Sequence, residues 1–305
     1  MLLFQQMLVL FIYILIGYIA CKKGKLDEAF SKKTSWLVVE VANIALVISA
    51  AVNSDGSIEG KDLLVTLVLA VCVFAILIVV ACFVPVIFQV PTDEKGTYRV
   101  MTVFNNIGFM GYPIIAAIYG NTALLYAVIF SIIFNFLVYT YGIQMIRGDQ
   151  NDGEKFKITS ILTNAGVIGS FIALLLYITQ CPVPQFVKST ASGLSNLTAP
   201  LSMMVIGISL CSIPLKKLFS DVRLLAYSFV KLLIIPVIGT LLIKQVIDNE
   251  MLCRVCMIIL ATPAASMTVM LAEQYEGNLE IASRGVALTT LLSVATIPIV
   301  SAIVF

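Results

Sequence analysis

Residues Val100 through Ile146 run for 47 positions without one charged side chain. That is enough chain for two crossings of a bilayer's hydrocarbon at about 20 residues each. Tyr119-Gly120-Asn121-Thr122, near the middle of the run, supplies the turn between them. The rest of the chain is built alike. Runs with no charge, or with one, cover Leu2–Ala20, Thr34–Val52 (holding Glu40), Leu63–Phe88 (with Pro85 near its end), Ile158–Thr179, Ala191–Cys211, Leu224–Ile243 (holding Lys231), Val255–Ala272 and Gly285–Phe305. Ten spans result. Only 12% of the 305 residues are charged, about half of what a soluble domain uses to cover itself. The mean hydropathy of +1.04 fits lipid as the solvent. The expected class is an all-α membrane protein of ten transmembrane helices.

Charge placement orients these spans. No Lys or Arg precedes the first, whereas Lys22, Lys23, Lys25, Lys32 and Lys33 follow it, the reverse of a cleavable signal peptide. The odd-numbered loops hold 14 basic residues and the even-numbered loops 4. The positive-inside rule puts the odd loops in the cytoplasm and both termini outside, in a cell (plasma) membrane. Trp36 lies at a helix end, where an interfacial anchor belongs. The near balance of 19 basic and 17 acidic residues gives no reason to expect a nucleic-acid partner. With no histidine there is no His-based zinc site, general base or proton relay. Cys253 and Cys256 form a lone C-x-x-C pair, read as small core residues. No cofactor, metal or catalytic residue is expected.

The polar loop 147–157 divides the chain into residues 1–146 and 158–305, five spans each. An odd span count makes the second half enter from the opposite side, so repeated halves would be inverted repeats, a common plan of secondary transporters. The fourth and ninth spans carry matched interruptions. Asn105-Asn106-Ile107-Gly108-Phe109-Met110-Gly111-Tyr112-Pro113 lies in one, and Ala261-Thr262-Pro263-Ala264-Ala265-Ser266-Met267-Thr268 in the other. Proline removes an N–H and clashes with the preceding turn. The freed backbone groups need partners that lipid cannot give. Paired broken helices at corresponding positions point to a transporter's binding site.

These residues resemble a known family. Phe104–Tyr119, with Asn106, Gly111 and Pro113 at its core, is similar to the fourth helix of the auxin efflux carriers, a family of plant PIN-formed proteins and bacterial permeases for small carboxylates. Thr198-Ala199-Pro200-Leu201-Ser202 through Leu210 resembles the seventh-helix motif, and Pro263 through Tyr275 the ninth. Lys231 to Pro236 resembles a basic-then-proline pattern of bacterial members. The chain departs from the family at Asn43-Ile44 and at Asn164-Ala165, where proline is usual, so auxin itself is not the expected solute. The resemblance implies a scaffold of helices 1, 2, 6 and 7, a transport domain of helices 3–5 and 8–10, and crossing of helices 4 and 9 at their breaks. It also implies that Asn106 hydrogen-bonds a substrate carboxylate.

The expected function is a secondary carrier of a small organic anion, working by alternating access. A sodium-coupled bile-acid-type symporter is the alternative, followed by a channel and a membrane enzyme. Candidate binding residues are Asn105, Asn106, Gly108, Gly111, Pro113, Pro263, Ala264, Ser266, Thr268, Asn43 and Pro200. Coupling and gating candidates are Glu40, Lys231 and Asp62, because charges within hydrocarbon are costly. Glu40 and Lys231 fall at matching depths, so the two charges either meet in one access state or are solvated separately by the cytoplasmic vestibule. Expected partners are the anion, a proton or sodium, the bilayer and a second copy in a homodimer.

Overall fold

A computed structural model describes residues 2–54, 58–147, 165–211, 213–214 and 218–305. The linker beyond Arg147 and the start of the expected sixth span, Asn164 included, lie outside them. The described chain is all-α, and seven of its helices are long and apolar enough to cross a membrane. In order the helices are α1 (Leu2–Lys22), α2 (Glu28–Leu37), α3 (Asn43–Val52), α4 (Gly60–Ile87), α5 (Lys95–Val103), α6 (Tyr112–Leu137), α7 (Ile143–Arg147), α8 (Ala165–Thr179), α9 (Gln185–Ser195), α10 (Thr198–Cys211), α11 (Val222–Phe229), α12 (Ile235–Val246), α13 (Glu250–Ala261), α14 (Met267–Gln274) and α15 (Leu279–Val304). Short side chains at polar ends start several of them. Asp27, Asp221, Asn249 and Asn278 each accept from the backbone N–H three residues on, satisfying a donor that the helix leaves unpaired.

Among the described residues four wider π turns occur, at Val38–Ala42, Ile107–Gly111, Val138–Gly142 and Val230–Ile234; the second opens α6 and the others join helical pieces. Such turns insert a residue and are frequent at functional sites. Both intramembrane charges, Glu40 and Lys231, sit in one. Within α6 the chain turns at Gly120, whose φ of 79° and ψ of −171° suit glycine because it has no Cβ. Residues 112–119 and 121–137 are therefore separate arms.

Without a hydrophobic drive between helices in lipid, close backbone contact supplies cohesion. α1 and α10 run parallel: Gly17 packs against Met204 and Gly207 between Ile14 and Tyr18, and at their C-terminal ends Lys22 Nζ donates to the Cys211 carbonyl. A Cβ on Gly207 would lie 2.1 Å from the Ile14 carbonyl oxygen. The span expected over Ala191–Cys211 begins earlier than its apolar run: α9 starts at Gln185 and gives way to α10 around Asn196–Leu197. Lys188 lies inside α9, so a boundary read from charge falls too late: a half-buried Lys keeps its stem on the helix and its head at the polar interface.

Candidate functional site

The two interrupted helices meet at their breaks. α5 ends at Val103 and Phe104 turns extended; α13 ends at Ala261 and Thr262 turns extended. Between them Asn105 and Ala264 form an isolated antiparallel bridge. Asn106 N–H donates to the Pro263 carbonyl at 2.8 Å, and Ala265 N–H to the Phe104 carbonyl at 2.9 Å. Backbone groups that a continuous helix would have satisfied internally are thus satisfied by the other break. Ala264 N–H donates to Thr289 Oγ1 of α15 at 3.2 Å, and that hydroxyl donates on to the Gly285 carbonyl. Thr262 returns its own hydroxyl to the Ile259 carbonyl. Two helix C-terminal ends, α5 and α13, and two N-terminal ends, the Ile107–Gly111 turn and α14, converge on this buried crossing.

The extended backbone sends successive side chains to opposite sides, which separates the two asparagines. Asn105 Oδ1 accepts from Lys231 Nζ, and the same ammonium donates to the Thr102 carbonyl at 2.8 Å. Asn106 Oδ1 instead accepts from Phe109 N–H at 3.2 Å, capping the turn that follows. Both amide nitrogens, Asn105 Nδ2 and Asn106 Nδ2, are buried donors without a protein acceptor, and Thr268 Oγ1 of α14 is likewise buried and unpartnered. Asn43, at the start of α3, reaches the same place: a Cβ on Gly108 would stand 3.3 Å from its Nδ2, and its Oδ1 is also unpartnered. Gly111 N–H returns to the Asn106 carbonyl and Pro113 opens α6, where its missing N–H costs nothing. Ser266 precedes α14 and accepts through its carbonyl from Val269 N–H. Pro200 lies in the first turn of α10, half-buried.

The remaining candidates sit elsewhere. Asp62 accepts from Asn249 Nδ2 at 2.9 Å, and Asn249 also donates to the Tyr126 hydroxyl, tying α4, α6 and α13 at one end. Glu40 lines a cleft of about 370 Å³ with Ile44, Phe186 and Thr190, between the second span and α9. Lys231 is instead fully buried against α5. The matching depths expected from the sequence thus do not bring Glu40 and Lys231 together here, because depth along a helix leaves its facing direction open. Three partners of the site carried no sequence signal: Thr289, Thr102, and Tyr227, whose hydroxyl lies 3.3 Å from Thr102 Oγ1. Threonine and tyrosine are ordinary residues of membrane helices until a fold sets them against a break.

Outside the spans, the polar ends of α5, α11 and α15 interlock. Arg284 reaches Asp221 at 3.5 Å, Asn278 donates to Asp93, and Arg223 stands 3.9 Å from Glu94. Burial, then the neighbouring Asp93 charge, raises the Glu94 carboxyl above its ordinary value against the pull of Arg223. Among the described residues no group of His, Cys, Asp or Glu could hold a metal ion.

The model of the membrane transport protein family matches the chain over residues 2–165 and 153–301. The chain belongs to that family. An uncharacterized transporter of Methanocaldococcus jannaschii is 27% identical over 303 residues, 95% of each chain. Another, of Methanothermobacter thermautotrophicus, is 22% identical over 98% of this chain and 97% of its own. As a member of the membrane transport protein family, the protein is a multi-pass secondary-type transporter that moves solute without transforming it.

Proposed function

We propose that the protein carries a small organic anion, such as a carboxylate, by alternating access around the crossing of residues 104–106 with 262–266. The observation that carries this reading is the pair of buried, unpartnered amide donors on Asn105 and Asn106. A buried donor left unmet costs about 1–3 kcal/mol, and an anionic oxygen accepts from an amide without adding a second positive charge. The N-terminal ends beside them, at Ile107 and Met267, favour negative charge. Asn106 is the residue we assign to the anion, since Asn105 is engaged by Lys231. Asn43, Gly108 and Thr268 would line the same side, with Gly111, Pro113, Pro263, Ala264 and Ser266 forming the breaks and Pro200 lining the approach.

On this reading the chain crosses the membrane ten times as two inverted five-helix repeats, 1–146 and 158–305, with both termini outside. The turn at Gly120 supports counting residues 112–119 with α5 and 121–137 with the next span. The parallel run of α1 and α10, with Lys22 meeting Cys211 at their C-terminal ends, agrees with a first and seventh span that both enter from outside. Helices 1, 2, 6 and 7 then form the scaffold, as the resemblance to auxin efflux carriers implies, and Asp62 serves the moving part.

The test is counterflow of labelled acetate, malonate and succinate in proteoliposomes, paired with thermal unfolding of purified protein against the same acids. The reading expects saturable uptake of at least one acid and its loss in Asn106→Ala, which should still insert and unfold near the wild-type temperature. Undiminished affinity in Asn106→Ala would remove the assignment.

A further inference from the structure

We infer that the crossing is a cation site whose cation is the chain's own: the Lys231 ammonium stands at the C-terminal end of α5 where broken-helix carriers hold a coupling metal ion. Unwound carbonyls and half-helix C-terminal ends are the groups that bind sodium in such folds. Here the group against them is Nζ of Lys231, donating to the Thr102 carbonyl and to Asn105 Oδ1. Thr102 is the last residue but one of α5, so its carbonyl has no further helical donor and carries the negative end of the helix dipole. The α13 C-terminus ends at the same crossing, adding a second negative end.

The residue is placed by design of the local chain. The Val230–Ile234 π turn shifts the register of the eighth span just where Lys231 leaves it, and Pro236 follows in the first turn of α12. Lys231 is 0% exposed, so the ammonium has no water to fall back on. Among the described residues it pairs with no carboxylate; the ion pairs there lie elsewhere. Removing an unpaired ammonium from water is expensive, and neutral oxygens plus helix C-terminal ends are the compensation this fold provides. Around it Tyr227 lies near Thr102 Oγ1, and Thr102 donates to the Tyr98 carbonyl, closing the shell with hydroxyls rather than acids. A tethered cation needs no sodium to neutralise the crossing, so this carrier would work without one.

This inference rests on the crossing being the transport site, yet its test needs no transported solute. Purified protein is unfolded thermally in sodium chloride and in choline chloride, for wild type, Lys231→Ala and Asn105→Asp. Wild type should show the same midpoint in both salts. Lys231→Ala should unfold several degrees lower, with sodium or propylammonium, but not choline, restoring part of the loss saturably. Asn105→Asp, which sets a carboxylate against an ammonium, should keep or raise the midpoint. Stabilisation of wild type by sodium, a Lys231→Ala variant indifferent to both small cations, or a lowered Asn105→Asp midpoint would each overturn the inference. Should Lys231→Ala not fold, the wild-type and Asn105→Asp measurements still decide it. Failure here would leave the anion reading standing, whereas failed counterflow with these midpoints as expected would remove the anion and leave the cation.

Discussion

Thr289 offers the sharpest check on how the crossing is held. Its side chain is fully buried, and its hydroxyl is the acceptor for Ala264 N–H at 3.2 Å while donating to the Gly285 carbonyl at 2.7 Å. Thr289→Val keeps the shape and removes the oxygen. Ala264 N–H then lies in a dry break with no acceptor, a loss of about 1–3 kcal/mol. Interhelical hydrogen bonds in membranes average only about 0.6 kcal/mol, and the back-bond to Gly285 is of little worth, so we expect about 1–2 kcal/mol. Thr289→Ser keeps the hydroxyl and loses one methyl, about 0.8 kcal/mol. Thermal unfolding of the three proteins should therefore rank wild type above Ser above Val. Counterflow should fall further in Val than in Ser, because Ala264 is itself the bridge partner of Asn105. If Val unfolds with or above wild type, the Ala264 amide has another partner and the crossing is not fastened from α15.

Three further outcomes follow from the same geometry. Pro263→Ala would supply an N–H that competes with the Thr262 hydroxyl for the Ile259 carbonyl and prolongs α13 into the bridge; transport should fall more than expression, and normal counterflow would mean the break is an ordinary kink. Gly207→Ala places a carbon 2.1 Å from the Ile14 oxygen, so α1 must retreat by about 1 Å at a cost of about 1–3 kcal/mol; an unchanged unfolding midpoint would refute the close α1–α10 contact. Because burial raises the folded-state Glu94 carboxyl above the 4.5 of the free group, its contribution to stability is full below 4.5 and is lost as pH rises through the raised value. Glu94→Gln should accordingly flatten that part of the unfolding profile and match or exceed wild type at pH 7, despite the distant Arg223; a destabilised variant at pH 7 would show that the ion pair outweighs burial.

Much of this molecule is legible in the residues because lipid is an unforgiving solvent. A membrane span must be apolar for about 20 residues and must satisfy its own backbone, so the uncharged runs, the Gly120 turn and the interruptions around Pro113 and Pro263 all show in one dimension. Span limits slipped where a helix extends into the polar interface, as at Lys188 in α9, because charge marks the edge of hydrocarbon and not the end of a helix.

What tertiary structure alone decided is who faces whom. Spacing along the sequence gives Glu40 and Lys231 matching depths, but depth fixes only one coordinate of a helix; the π turns at each of them and the packing of α11 against its neighbours set the other, and Lys231 meets Thr102 and Asn105. Asn105 and Asn106 are adjacent and chemically identical in the sequence. They acquire different partners only because the break is extended, so that one points to the ammonium and the other back to its own turn. Composition and spacing set where the helices break, while the pairing of two breaks about 160 residues apart, and of Thr289 with one of them, depends on contacts between segments that no local pattern encodes.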